Sequence, residues 1–184
     1  MLKLKNVSKS YDQSVLNSFS YDFPDKGLYI IRGKSGVGKT TLLRLIAGLE
    51  RPDDGEILWN QEKKISFVFQ EARLVPFLTL SENILLVKKE KDEESAKAIL
   101  KDLSLGDAAD KFPEELSGGM KLRGAIARSL YYGGDVYLWD EPTKELDLEN
   151  RRKIIDTIHK IAENKLILVV THDPELSGGT EIEL

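Results

Sequence analysis

The chain has 184 residues, 41% hydrophobic and 32% charged, which suits one soluble globular domain with enough apolar content for a sizeable core. A net charge of -4, from 27 basic and 31 acidic residues, gives no electrostatic argument for nucleic acid as the main ligand, and no such partner is expected. The absence of cysteine excludes disulfides, thiol catalysis and cysteine-ligated metals.

Leu2, Leu4 and Val7 roughly alternate and predict an edge strand over 2–7, with a second short strand near 15–23. Pro24, Asp25, Lys26 and Gly27 make a turn, and 28–31 is a short β-rich run that leads into a glycine-rich loop. Leu42, Leu45, Ile46 and Leu49 have helical spacing over 41–49, and Gly48 weakens the last turn. RPDDG at 51–55 is a turn, and 57–59 and 65–69 read as strands. From 76 to about 112 the chain reads as helical, with Thr79 and Glu82 fitting a capping box. Inside it, KKEKDEE at 88–94 reads as a solvated turn and helix start. A strong helix is expected over 118–132, a buried strand over 135–139, a long helix over 147–164, another buried strand over 166–170 and a final edge strand over 181–184. Strands alternating with helices predict an α/β fold with a mostly parallel sheet, preceded by an antiparallel β part in the first 25 or so residues. Residues 1–184 are expected to form one domain, with a helical subdomain inserted at about 76–116. No apolar run reaches the ~20 residues of a membrane-spanning helix. The N-terminal MLKLKNVSKSY carries no signal-peptide pattern, so work at a membrane would need a partner to supply the span.

Gly33, Lys34, Ser35, Gly36, Val37, Gly38, Lys39 and Thr40 fit the P-loop pattern G-x-x-x-x-G-K-S/T, between a strand and a helix. The glycines let backbone N–H groups turn in around phosphate oxygens, and the helix that begins near Thr41 adds partial positive charge. Lys39 is placed to reach the β- and γ-phosphates and the Thr40 hydroxyl to bind Mg2+. VYLWDE at 136–141 is an apolar strand ending in two carboxylates; beside a P-loop, Asp140 can hold the Mg2+ shell and Glu141 can polarise an attacking water. In LSGGM, Ser117 can cap the next helix while Gly118 and Gly119 bare its first N–H groups; a plain helix cap and a second anion site are equally good readings. His172 follows a buried strand, where it either donates to a γ-phosphate or serves structure, and His159 is taken as surface.

These four motifs, in this order and over nearly the whole chain, resemble the ATP-binding cassette (ABC) family of ATPases, whose signature LSGGM matches. The resemblance implies ATP and Mg2+ as cofactors. It makes Gln70 the glutamine that senses the metal and contacts a membrane partner, Tyr11 the aromatic that stacks on adenine, and Asp147 the aspartate of the D-loop. It further implies two cassettes paired head-to-tail, so that Ser117, Gly118 and Gly119 serve the partner's γ-phosphate, and a separate transmembrane permease subunit at the inner face of the cell membrane. In this scheme Glu141, His172 and Gln70 are catalytic, and Thr40, Gln70 and Asp140 serve the metal. Met120 stands where the family usually has Gln, and Lys144 and Glu145 where small residues are common. The 45 residues from 71 to 115 are few for the family's helical subdomain, and the tail after His172 is brief, as in a minimal cassette. QEARLVPFLTLSEN and LSGGMKLRGAIARSL look most like bacterial importer ATPases of the nitrate, sulfonate and taurine type, and similar strings occur in exporting cassettes. The leading expectation is the ATPase subunit of a membrane transporter; the alternatives are a soluble ABC ATPase acting on nucleic acid or ribosomes, and a small P-loop kinase or nucleotide-binding regulator.

Overall fold

Alternation in LKLKNVSKS produces strand β1 (Leu2–Ser10), which buries Leu2, Leu4 and Val7. The computed structural model describes residues 1–184 and places β1 at the centre of an antiparallel sheet, between β2 (Ser14–Phe23) and β4 (Asp54–Trp59), where an edge had been expected. The reason lies in Gly55. Its φ of +84° suits glycine, and a Cβ there would meet the Asn6 carbonyl oxygen at 2.3 Å, so only glycine lets β4 close on the irregular middle of β1. The strand therefore starts at Asp54, inside the expected turn.

The second sheet is fully parallel, in the order β5-β6-β7-β3-β8, from β3 (Gly27–Arg32), β5 (Ile65–Val68), β6 (Val136–Asp140), β7 (Leu166–Val170) and β8 (Thr180–Glu183). β6 and β7 are buried along their whole length, the pattern of strands covered on both faces. β8 lies at the edge, as expected. One face of this sheet shares a core of 17 residues with the antiparallel sheet and helix α1 (Lys39–Ile46). The other face shares a core of 25 with α2 (Leu80–Leu85), α3 (Glu93–Asp102), α4 (Gly118–Tyr132) and α5 (Leu148–Ala162).

Helix α1 ends at Ile46, short of the expected 49, because Gly48 turns the chain at φ +70°. The stretch 76–112 is not one helical run but α2 and α3, followed by a 3-10 turn at Gly106–Ala108 and another at Pro113–Glu115. The capping box is present: Thr79 Oγ1 accepts from the Glu82 N–H at 3.3 Å, and Glu82 Oε2 from the Thr79 N–H at 2.8 Å. The charge run is solvent-facing, and Asp92 caps α3 by accepting from the Ser95 N–H at 2.9 Å.

Candidate active site

Parallel strands bring their C-terminal ends to one side of the sheet, and that side gathers the candidate residues. The glycine loop leaves β3, Gln70 follows β5, Asp140 ends β6 with Glu141 next, and His172 follows β7. A cavity of about 460 Å³ opens there, walled by Ser35, Gly36, Gly38, Lys39, Thr40 and Thr41, with Gln70, Asp140, Glu141, Lys144 and His172 facing them.

The loop's shape depends on glycine at two close approaches. Gly38 has φ +108° and a Cβ there would lie 2.5 Å from the Val15 carbonyl oxygen; at Gly33, φ +138°, a Cβ would lie 2.7 Å from that of Leu184. Gly38 also caps α1. The Lys39 side chain is buried, and its Nζ donates to the carbonyl oxygens of Gly33 (2.8 Å) and Lys34 (2.9 Å), which folds the ammonium into the concave side of its own loop. The Lys34 and Val37 side chains do not wall the cavity, but both residues shape the loop, whose turn closes with the Val37 N–H donating to the Lys34 carbonyl.

Thr40 Oγ1 donates to Asp140 Oδ2 at 2.6 Å. Asp140 is only 2% exposed, and burial holds its carboxyl above the usual carboxylate range, against the Thr40 hydrogen bond and the charges of Arg44, Lys39 and Lys144. The folded protein thus binds this proton more tightly than the unfolded chain. The associated stability is present at acid pH and is lost as pH rises through the raised folded value. At neutral pH an ionised Asp140 is a burden on the fold. Asp140→Asn keeps an acceptor for Thr40 and is expected to raise the melting temperature of the nucleotide-free protein by about 2–4 °C, about 1 kcal/mol, in a thermal melt at pH 7 to 8.

Glu141 adopts φ +53°, a left-handed conformation that a non-glycine residue holds only when its surroundings impose it. Its N–H donates to the Val170 carbonyl at 2.8 Å, tying the end of β6 to β7. Glu141 Oε2 accepts from the His172 N–H at 3.3 Å, and Oε1 lies 3.7 Å from His172 Nε2. The two expected catalytic groups are therefore neighbours. No group of three or more His, Asp or Glu residues forms a metal cage. One carboxylate beside one hydroxyl suits Mg2+, which keeps waters and takes phosphate oxygens to complete its shell.

Other expected residues stand apart. Tyr11 is 56% exposed on the β1–β2 turn, with its hydroxyl donating to Glu50, and forms no wall of the cavity. Ser117 caps α4, its Oγ accepting from the Met120 N–H at 3.2 Å; Ser117 and Gly118 are exposed and Gly119 half-buried, all outside the P-loop cavity. Asp147 caps α5, and hydrogen bonds from Asn150 hold its carboxyl below the usual range. His159, taken as surface, is partly exposed and lies beside Gly178. Lys144 is a cavity residue that sequence reasoning did not place there. Its N–H closes a turn onto the Glu141 carbonyl at 3.2 Å, and the proline after Glu141 was the available signal for that turn.

A family model described as ABC transporter matches residues 16–144. The aliphatic sulfonates import ATP-binding protein SsuB 1 of Paracoccus denitrificans is 36% identical over 92% of this chain and 72% of its own length. The sulfate/thiosulfate import ATP-binding protein CysA of Pseudomonas syringae is 37% identical over 95% of this chain and 60% of its own length. The macrolide export ATP-binding/permease protein MacB of Campylobacter jejuni is 35% identical over 97% of this chain and 31% of its own length. The chain thus spans less than two thirds of two of these three relatives. A dimeric ATP-binding cassette solved in a post-hydrolysis state with ADP and Pi superposes with a TM-score of 0.90 at 31% identity, over 100% of this chain and 94% of the other. With the likeness running through motifs and fold alike, the chain belongs to the ABC transporter family, among its ATP-binding subunits.

Proposed function

We propose that this chain binds and hydrolyses ATP to power a membrane transporter whose spanning part is a separate permease subunit. The observation that carries the reading is the single cavity where the Lys39 ammonium, the Thr40–Asp140 pair and the Glu141–His172 pair converge. Lys39 turns from its loop carbonyls to the β- and γ-phosphates, and the loop N–H groups cradle them. Thr40, Asp140 and Gln70 would hold Mg2+, which supplies charge neutralisation on the phosphate oxygens when bound. Glu141 orients water and takes its proton, and His172 donates to the γ-phosphate. Ser117 and Gly118 are exposed and, with the half-buried Gly119, lie outside this cavity, which supports their use toward the nucleotide of a second cassette. Tyr11, exposed and with its hydroxyl donating to Glu50, would stack on adenine. Residues 1–184 would work as one domain. No helix is long and apolar enough to cross a membrane, which supports a peripheral position at its inner face.

The test is a pull-down of tagged Glu141→Gln protein from detergent-solubilised native membranes with ATP present. A multi-span membrane protein is expected to co-purify. Recovery of ribosomal or nucleic-acid proteins, or of the chain alone, would overturn the transport reading.

A further inference from the structure

The reacting pair is carried by two loops: one after β6, headed by Glu141, and one after β7, which holds His172. Behind the pair, a single side chain reaches both. Arg151, in the first turn of α5, donates from Nη2 to the Leu146 carbonyl at 3.4 Å, at the far end of the Glu141 loop. Its Nε lies 3.6 Å from Asp173 Oδ2, next to His172.

Asp173 is held hard in place. Its side chain is 8% exposed, its Oδ1 accepts from the Glu175 N–H at 3.0 Å, and its own N–H donates to Thr171 Oγ1 at 2.9 Å. Its carbonyl accepts from Arg32 Nη1 at 3.1 Å. Arg151 Nε, by contrast, is buried and has no hydrogen-bond partner, alone among the buried side-chain nitrogens and oxygens of this chain. The Arg151 side chain is 30% exposed, but an unmade bond at its buried Nε costs stability and calls for an explanation. The separation of 3.6 Å is beyond a hydrogen bond yet within about an ångström of one, so a small approach of the two loops completes it. Contacts of this kind are commonly long without substrate and tighten when it binds.

We propose that Arg151 is a positioning residue: its Nε–Asp173 contact closes when nucleotide draws the two loops together, and this sets His172 against Glu141. The inference rests on the reading of Glu141 and His172 as the reacting groups. Arg151 touches no substrate and acts only through them.

The test compares wild type with Arg151→Ala, the near-isosteric Asp173→Asn, His172→Ala, and each of the first two combined with His172→Ala. ATP hydrolysis and ATP binding are measured for each. Arg151→Ala and Asp173→Asn are expected to lower kcat by about 10–100-fold, the scale of an ångström misplacement in an active site, with KM and ATP affinity within about threefold of wild type. In the His172→Ala background the same substitutions are expected to cost less than about threefold, because the residue they act through is gone. A merely structural role would lower the melting temperature and leave kcat of the folded fraction intact. Wild-type kcat in Asp173→Asn, or an equal cost with and without His172, overturns the proposal. Full activity of Glu141→Gln would instead overturn the site reading beneath it, so the two failures are told apart.

Discussion

Glu141→Gln is expected to reduce ATP hydrolysis by about 10²–10⁴-fold, the usual contribution of a positioned general base, while ATP affinity changes by no more than a few-fold. The substitution removes little else. Gln keeps the side-chain length and an oxygen that can accept the His172 N–H now bound at 3.3 Å. The backbone bond from residue 141 to the Val170 carbonyl does not depend on the side chain, so the left-handed turn at φ +53° keeps its anchor. What disappears is the negative charge and the capacity to take a proton from water. Phosphate release by steady-state assay, beside isothermal titration calorimetry with ATP, separates the two effects. Normal turnover in this variant would sink Glu141 as the base.

Lys39→Ala should do the opposite, losing ATP affinity itself. Each charge-assisted hydrogen bond is worth about 1.5–3 kcal/mol. Removal of one or two from the phosphates predicts a loss on the order of 10–10⁴-fold in affinity. The ammonium is already folded into the loop by the carbonyls of Gly33 and Lys34, so little reorganisation stands between the free and bound positions. Its loss also leaves those two carbonyls without their donor, and a modest drop in melting temperature accompanies the binding defect. Calorimetric titration with ATP and a thermal melt measure the two. Affinity within threefold of wild type would show that the loop's backbone alone carries phosphate binding.

The elements that the sequence predicts best are those whose limits are written locally. Helix 118–132 is found as expected, because Ser117 caps its start and Gly133 stops it with φ +71°. Strand 166–170 is found as expected because LILVV is apolar throughout and covered on both faces. Each motif on the chemical side of the sheet follows such an apolar strand, and parallel pairing then aligns the strand ends without further instruction. The central place of β1 was not legible, since its second neighbour β4 lies far along the chain and depends on one glycine's freedom. The helical region was blurred for a related reason: α2 has six residues, too few for a period to show. Lys144 stood out only as a departure from the family pattern and Arg151 not at all, because side chains that converge from separate loops leave no repeat in the sequence.

One buried ring gives the site a built-in optical reporter. Trp139 immediately precedes Asp140 and is 0% exposed, with its indole N–H donating to Ser129 Oγ on α4 at 3.1 Å. The chain has one other tryptophan, Trp59, half-buried at the end of β4 in the antiparallel sheet. Replacing Trp59 with Phe would leave a protein whose tryptophan fluorescence comes from the strand that ends at Asp140. Its emission, blue-shifted by an apolar surround, would follow any change in how β6 sits against α4 as nucleotide arrives, with no label attached.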